Sequence, residues 1–255
     1  MKVVPLVAVL ALVLAVLPVR ADWNQGDSYK MHFPQLPDPM GWDVDAMGAQ
    51  GNRVADDWLC TESGPVNDVH FWVSYKQDLV DPITQISLTI HADIPDPDGP
   101  GPLYSQPGDV LWNTLLAPGD FTIRGPESGS EGWYDPNAVF WSKPDHFTYY
   151  QVNIPHIADP FVQQQGTVYW LDVSMVLAGQ QPGAEIGWKT SLNHWNDDAV
   201  YWNPNQPVPG WSELRDPQTS ESLDMAFVIT TIPEPGTLAL MGLALVALVA
   251  RLRRK

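Results

Sequence analysis

Apolar and polar residues alternate with a period of two through much of the chain between residues 52 and 231. The clearest segment is 84–94, where one side carries an apolar series and the other a polar series: Ile86, Leu88, Ile90, Ala92 and Ile94 against Gln85, Ser87, Thr89, His91 and Asp93. Successive side chains of a strand point to opposite faces, so this pattern predicts a strand with its apolar side against a core. Residues 184–192 alternate in the same way, which predicts Trp188 and Leu192 inside and Lys189 in solvent.

Further alternating or β-branched segments predict strands at 54–60, 66–75, 110–115, 121–124, 147–154, 166–177 and 225–231. Proline and glycine clusters at 95–102, 118–119 and 204–210 interrupt them, and no helical period of similar length competes. About nine short strands with such punctuation predict an all-β fold, an antiparallel β-sandwich or jelly roll. We expect one domain over 52–231, preceded by an extended lead-in at 22–51.

Aromatic residues are numerous, with 12 Trp in the chain, and this argues against disorder. Trp188 reads as core. Five others fall in stretches rich in Pro, Gly or Asn, where we expect loops: Trp133, Tyr134, Trp141, Trp202 and Trp211. Loop aromatics could stack on sugar rings or form small cores under the loops.

Both ends of the chain have the pattern of targeting signals. Residues 1–21 combine Lys2, an apolar run and the sequence Val19-Arg20-Ala21, which predicts a signal peptide cut before Asp22, with an uncleaved anchor as the alternative. Near the other end, the segment 235–250 would make a helix of about 24 Å, short for a bilayer core of about 30 Å. Four bases follow it and should stay in the cytoplasm, which places the body outside: Arg251, Arg253, Arg254 and Lys255.

Pro233-Glu234-Pro235, the short apolar segment and the terminal basic cluster together resemble the PEP-CTERM sorting signal of bacterial envelope proteins. The resemblance covers 232–255. It implies a membrane-anchored precursor that signal peptidase and an exosortase-like membrane enzyme process before the body reaches the cell surface or extracellular matrix. Short phrases in the middle also resemble an uncharacterised β-rich domain that recurs in such proteins, at 55–60, 91–95, 187–191, 195–199 and 223–227.

The charge balance restricts the partners. Six of the 13 bases and one of the 30 acids lie in the terminal segments, so residues 22–232 carry 7 bases against 29 acids. Such a surface repels nucleic acid phosphates, and a nucleic-acid-binding role is excluded.

Catalytic motifs are missing from the sequence. Cys60 is the single cysteine, so no intrachain disulfide can form, and we expect it to be a small buried apolar residue. The six His form no zinc-type spacing, and no nucleophile elbow or phosphate loop occurs. We therefore predict a protein that is not an enzyme and needs no cofactor, with a polysaccharide-active hydrolase or lyase as an alternative.

Two polar clusters are candidate binding sites. Asp93, Asp96 and Asp98 lie in one Pro-rich turn that could present oxygens to Ca²⁺ or be a solvated turn. The second cluster offers amide, imidazole, carboxylate and indole groups for a surface polysaccharide, or forms a structural turn: Asn193, His194, Trp195, Asn196, Asp197 and Asp198. The leading prediction is a non-catalytic exported envelope or matrix protein, and the alternative is a carbohydrate- or calcium-binding surface module.

Overall fold

The structure is a computed structural model that describes residues 22–96, 104–204 and 210–230. The signal peptide and the sorting segment predicted at the two ends lie outside these ranges. Within the described residues we find no helix with the length and apolar character needed to span a membrane.

The described residues are built from strands, with two short 3₁₀ turns at Gly48–Gln50 and Lys76–Asp78. The strands are β1 Trp42–Asp45, β2 Val54–Leu59, β3 Gly64–Val66, β4 Asp68–Tyr75, β5 Ile83–Ile94, β6 Gln106–Leu116, β7 Thr122–Asp135, β8 Phe140–Ile154, β9 Phe161–Gln163, β10 Val168–Leu177, β11 Ile186–Lys189, β12 Val200–Asn203, β13 Gly210–Glu213 and β14 Phe227–Thr230. The all-β prediction is confirmed.

Two six-stranded sheets share one apolar core, which fits a β-sandwich. One sheet has the order β11-β1-β7-β8-β4-β14 and the other β13-β12-β2-β10-β5-β6, while β3 and β9 form a separate ribbon. Most pairings are antiparallel as predicted. The exception is β1, which runs parallel to β7 with Asp43 opposite Trp133.

The first sheet closes on itself. Strand β11 pairs with β1 on one side and with the end of β4 on the other, where Gly187 lies opposite Ser74. Strands β4, β8, β7, β1 and β11 therefore form a closed ring, and β14 continues from β4 outside it. A closed ring has an inside that is separate from the main core.

This closure corrects the expectation for β11. All four of its residues are buried, so Lys189, predicted in solvent, has no exposed surface. Trp188 faces the main core as predicted, and Lys189 lies on the opposite face. Leu192, predicted inside, follows the end of the strand and is 60% exposed.

Strand β5 follows the predicted alternation through Ile86, Leu88 and Ile90, all of which are buried. The pattern fails beyond them: His91 keeps its place on the polar face but is buried there against Asp172 and the Trp211 ring, and Ile94 is 49% exposed.

The expectation of loops around the five aromatics is wrong. Strands β7 and β8 run much further than predicted and contain Trp133, Tyr134 and Trp141, and the β12–β13 pair sets Trp202 opposite Trp211. Trp133 is fully buried. Prolines and glycines at the irregular pairings of β7 with β8 concealed these strands in the sequence.

We predict that Trp188→Ala lowers the free energy of unfolding by about 3–5 kcal/mol, as for other buried aromatic truncations. The Trp188 ring packs edge-on against Phe71 and Phe227, and its indole N–H donates to the Ala226 carbonyl at 2.9 Å. Urea unfolding of the full chain in mild detergent, followed by circular dichroism, measures the change.

The matched control is Trp141→Ala, because that side chain is 45% exposed. We expect it to cost about 1 kcal/mol or less. Equal losses for the two variants would contradict the placement of Trp188 in the core.

Candidate functional site

The inside of the five-stranded ring is charged. Each strand of the ring contributes a buried polar side chain to one group, which we call the ring cluster: Asp43 from β1, Ser74 from β4, Glu131 from β7, His146 from β8 and Lys189 from β11. All five have 0% exposure. Charged groups this deep are rare unless they are paired.

Strand register brings these side chains together. Asp43 lies directly opposite Lys189 in the β1–β11 pair, and Glu131 lies opposite His146 in the β7–β8 pair. Close backbone approach requires a glycine beside them, since a Cβ atom at Gly187 would lie 2.9 Å from the Val44 carbonyl oxygen.

The contacts inside the ring cluster are short. Lys189 Nζ lies 2.6 Å from Glu131 Oε2 and 3.5 Å from Asp43 Oδ2. His146 Nε2 lies 2.9 Å from Asp43 Oδ2 and 3.1 Å from Glu131 Oε2, and Ser74 Oγ donates to Glu131 Oε2 at 2.9 Å.

The electrostatics of the ring cluster keep His146 protonated. Burial alone would lower its pKa, but the Asp43 charge and hydrogen bonds to Asp43, Glu131 and Asp145 raise the pKa to about 10. Burial would also raise the pKa of Asp43, yet the charges of Lys189 and His146 hold it well below its usual range. Burial and the neighbouring Asp43 charge raise the pKa of Glu131, which makes it the more basic carboxylate.

Three members of the ring cluster have the chemistry of metal ligands. The ligand atoms of Asp43, Glu131 and His146 all lie within 4.8 Å of one another. The Lys189 ammonium already lies against both carboxylates, however, and supplies the positive charge that a metal ion would bring. We therefore interpret the ring cluster as a buried ion-pair network.

A second polar region combines parts of both candidate clusters from the sequence, and we call it the acidic loop site: Asp57, Asp93, Asn196, Asp197 and Asp224. Asp57 is fully buried, and its Oδ2 accepts from Asn196 Nδ2 at 2.6 Å. Among the described residues its Oδ1 has no hydrogen-bond partner. Burial raises the pKa of Asp57 well above its ordinary value, and the charges of Asp224, Asp93 and Asp197 add to that rise.

Of the three predicted metal ligands, the structure places Asp93 in this region. Asp93 is half-buried, and its Oδ1 accepts from the Trp170 indole at 2.8 Å. Asp96 is exposed, and Asp98 lies outside the described residues.

Several of the residues predicted to hold a glycan make contacts within the fold. Asn193 Oδ1 accepts from the Leu36 backbone N–H at 3.0 Å, and the Trp195 ring stacks on His32 at 4.3 Å. Asp198 Oδ2 lies 2.8 Å from an Arg215 guanidinium nitrogen, so this carboxylate forms an ion pair outside the acidic loop site. His194 is exposed, with Nδ1 3.6 Å from Asp224 Oδ1.

The comparisons with known proteins concern both the body and the tail. A family model described as "Domain of unknown function (DUF7901)" matches residues 31–230.

The chain belongs to the DUF7901 family.

The PEP-CTERM protein-sorting motif matches residues 231–255 of this DUF7901 chain. Both resemblances stated from the sequence are therefore confirmed. The motif marks an exported, membrane-associated precursor that an exosortase-like membrane enzyme processes. No curated protein and no solved structure matches the chain. Pro233, Glu234, Pro235 and the four terminal bases lie outside the described residues.

Sequence reasoning missed the ring cluster. Its members are far apart in the chain, and Lys189 alternates with apolar residues as a solvent-facing side chain would. The one signal in the sequence was Gly187-Trp188-Lys189, where a glycine beside the lysine allows close approach of a neighbouring strand.

Cys60 is buried as predicted, and burial raises the pKa of its thiol.

We predict that the chain is more stable at about pH 6 than at about pH 8. Asp57 and Asp224 have raised pKa values in the folded state, and burial raises that of Asp45 to about 7. A carboxyl with a raised pKa costs stability above that pKa, and the cost disappears as the pH falls through it. The stability that the raised pKa of His146 provides is likewise lost as the pH rises towards 10. Thermal unfolding of the full chain across this range measures the trend.

Asp57→Asn should raise the melting temperature at the higher pH and flatten the dependence, because it removes a buried charge. Asp96→Asn, an exposed carboxylate three residues after Asp93, is the control and should leave the curve unchanged. Stability that increases with pH would be inconsistent with these shifts.

Proposed function

We propose that the protein is a non-catalytic component of the bacterial cell surface or extracellular matrix, delivered there by PEP-CTERM sorting. The observation that carries this proposal is the pairing of a sorting motif with a β-rich body whose charged interior is closed off. The ring cluster neutralises its own charges and has no exposed surface, so a substrate has no access to it.

The acids of the open surface also favour a non-catalytic role. A polar pocket of about 150 Å³ is lined by Asp38, Asp216 and Glu221. Each carboxylate already accepts a hydrogen bond within the fold: Asp216 Oδ2 from the Trp42 indole, Asp38 from the Met40 N–H and Glu221 from the Thr219 hydroxyl. A polysaccharide hydrolase needs two carboxyl groups free to act on either side of a glycosidic bond.

Replacing Pro233-Glu234-Pro235 by three alanines should leave the precursor uncut and membrane-associated in its native host. Mass spectrometry of the protein recovered from the envelope gives both ends of the mature chain. The matched control replaces the exposed residues 180–182 by alanine, which should not affect processing. Normal processing of the motif variant would contradict sorting through this motif.

A calcium-binding role is the second candidate, and the acidic loop site favours it. A buried carboxylate oxygen without a donor among the described residues, near three other acidic residues and an amide, is the kind of oxygen-rich setting that Ca²⁺ prefers. Calcium would also offset the mutual repulsion that raises these pKa values. Surface polysaccharide is a further ligand to test, although one face of Trp195 is already covered by His32.

Calorimetric titration of the full chain with CaCl₂ should show saturable binding that Asp57→Asn abolishes and Asp96→Asn preserves. A glycan array with and without Ca²⁺ tests the polysaccharide part. Absence of heat with the unaltered chain, or equal loss in the two variants, would leave the structural role alone.

A further inference from the structure

The ring cluster has the composition of a reactive centre as well as of an ion-pair network. An amine, two carboxylates and an imidazole lie in mutual contact with no exposed surface. Lys189 offers a nucleophilic nitrogen, Asp43 a carboxyl carbon across the strand pair, and Glu131 a base 2.6 Å from the amine. Reacting groups held about 3–3.5 Å apart are positioned for attack, and Lys189 Nζ lies 3.5 Å from Asp43 Oδ2.

We propose that Lys189 and Asp43 become joined by an intramolecular isopeptide bond between Nζ and Cγ, formed by the folded protein itself. The bond would link β1 to β11 and lock the five-stranded ring.

The condensation balances without any oxidant or co-reactant. His146 Nε2, 2.9 Å from Asp43 Oδ2, first passes its proton to that oxygen, which turns the carboxylate into a neutral acid that an amine can attack. Glu131 takes one proton from the Lys189 ammonium, and the freed nitrogen lone pair attacks Asp43 Cγ to form the C–N bond. Glu131 then gives its proton to Oδ2, which leaves as water as the C–O bond breaks, and the second proton that the nitrogen loses replaces the one that His146 gave.

Burial drives the reaction in the direction of the amide. The product replaces two buried charges by a neutral group, and ionised groups are costly in a water-free interior. It also relieves Asp43 Oδ1, a buried carboxylate oxygen that accepts no hydrogen bond from the described residues. An amide carbonyl carries less charge, so leaving it without a donor costs less.

The contacts of the two carboxyl groups assign Glu131 as the base and leave Asp43 as the site of attack. Glu131 Oε2 already contacts Ser74, His146 and Lys189, an arrangement that suits a proton acceptor. Other lysine–carboxylate pairs in the described residues lack this setting. Lys76 lies 2.7 Å from Glu185, but both side chains reach solvent, so water competes for them.

Covalent closure would serve a chain that cannot use a disulfide. Its single cysteine, Cys60, has no disulfide partner in the chain. Asp43 and Lys189 are 146 residues apart, so the bond would enclose most of the body in one loop. A link of this length stabilises chiefly by restricting the unfolded chain.

Mass spectrometry of the full chain tests the proposal directly. The expected mass is one water below that of the sequence after any terminal processing. Trypsin should yield residues 31–53 joined to residues 125–215, because it does not cut after acylated Lys189 or between Lys143 and Pro144. Separate peptides 31–53, 125–189 and 190–215 at their own masses would overturn the proposal. Peptide 31–53 at its own mass beside a 125–215 peptide short of one water would place the bond on Glu131 and overturn the assignment to Asp43.

Variants test the chemistry. Asp43→Asn should form the same bond with loss of ammonia instead of water, and Lys189→Met should lose neither. Glu131→Gln should fold, by near-ultraviolet circular dichroism, yet keep its full mass; a bond formed at the normal rate in this variant would contradict the role of Glu131. Glu185→Gln, which alters the other lysine pair, is the matched control and should retain the bond. If Glu131→Gln fails to fold, the peptide map of the unaltered chain still decides.

Discussion

The structure depends on closing five strands around a set of charged side chains. Burying an isolated ion costs several kcal/mol even after relaxation, and removing one partner of a buried pair costs about 3–5 kcal/mol. Asp43, Glu131, His146 and Lys189 are therefore tolerated only together, and only if β1 and β11 hold their register. The ring and its contents require each other. This interdependence specifies one strand order in a chain rich in short, interchangeable strands.

The scarcity of bases gives this arrangement consequences for the whole surface. Residues 22–232 contain seven bases, and in the structure each lies against a carboxylate or an aromatic ring. Arg53, for example, pairs with buried Asp172 and lies over the rings of Trp202 and Trp211. The remaining acids have few cations to neutralise them. The exterior is consequently anionic, which favours contact with cations and disfavours contact with phosphate-rich polymers.

How well the sequence predicts the placement of a residue depends on how far along the chain its partners lie. Alternation is local, so Ile86, Leu88 and Trp188 were placed correctly from their neighbours alone. Lys189 was placed on the correct face of β11, but only a partner strand from the other end of the chain decides whether that face meets water. The parallel pairing of β1 with β7 is equally non-local. For the acidic loop site, the sequence identified Asp93 and Asp197 but assigned them to separate sites, because only the fold brings their charges together.

The pairing of early with late segments bears on how the protein reaches its destination. The backbone N–H of Lys30 bonds to the carbonyl of Ile229, Gln35 bridges to Phe227, and β1 needs β11. Strands from the first part of the chain therefore cannot complete their pairing until segments near its far end are available. Strand β14 ends at Thr230, and the sorting motif begins at the next residue. A chain that stopped before β14 would thus lack both the outermost strand of the first sheet and the signal for sorting.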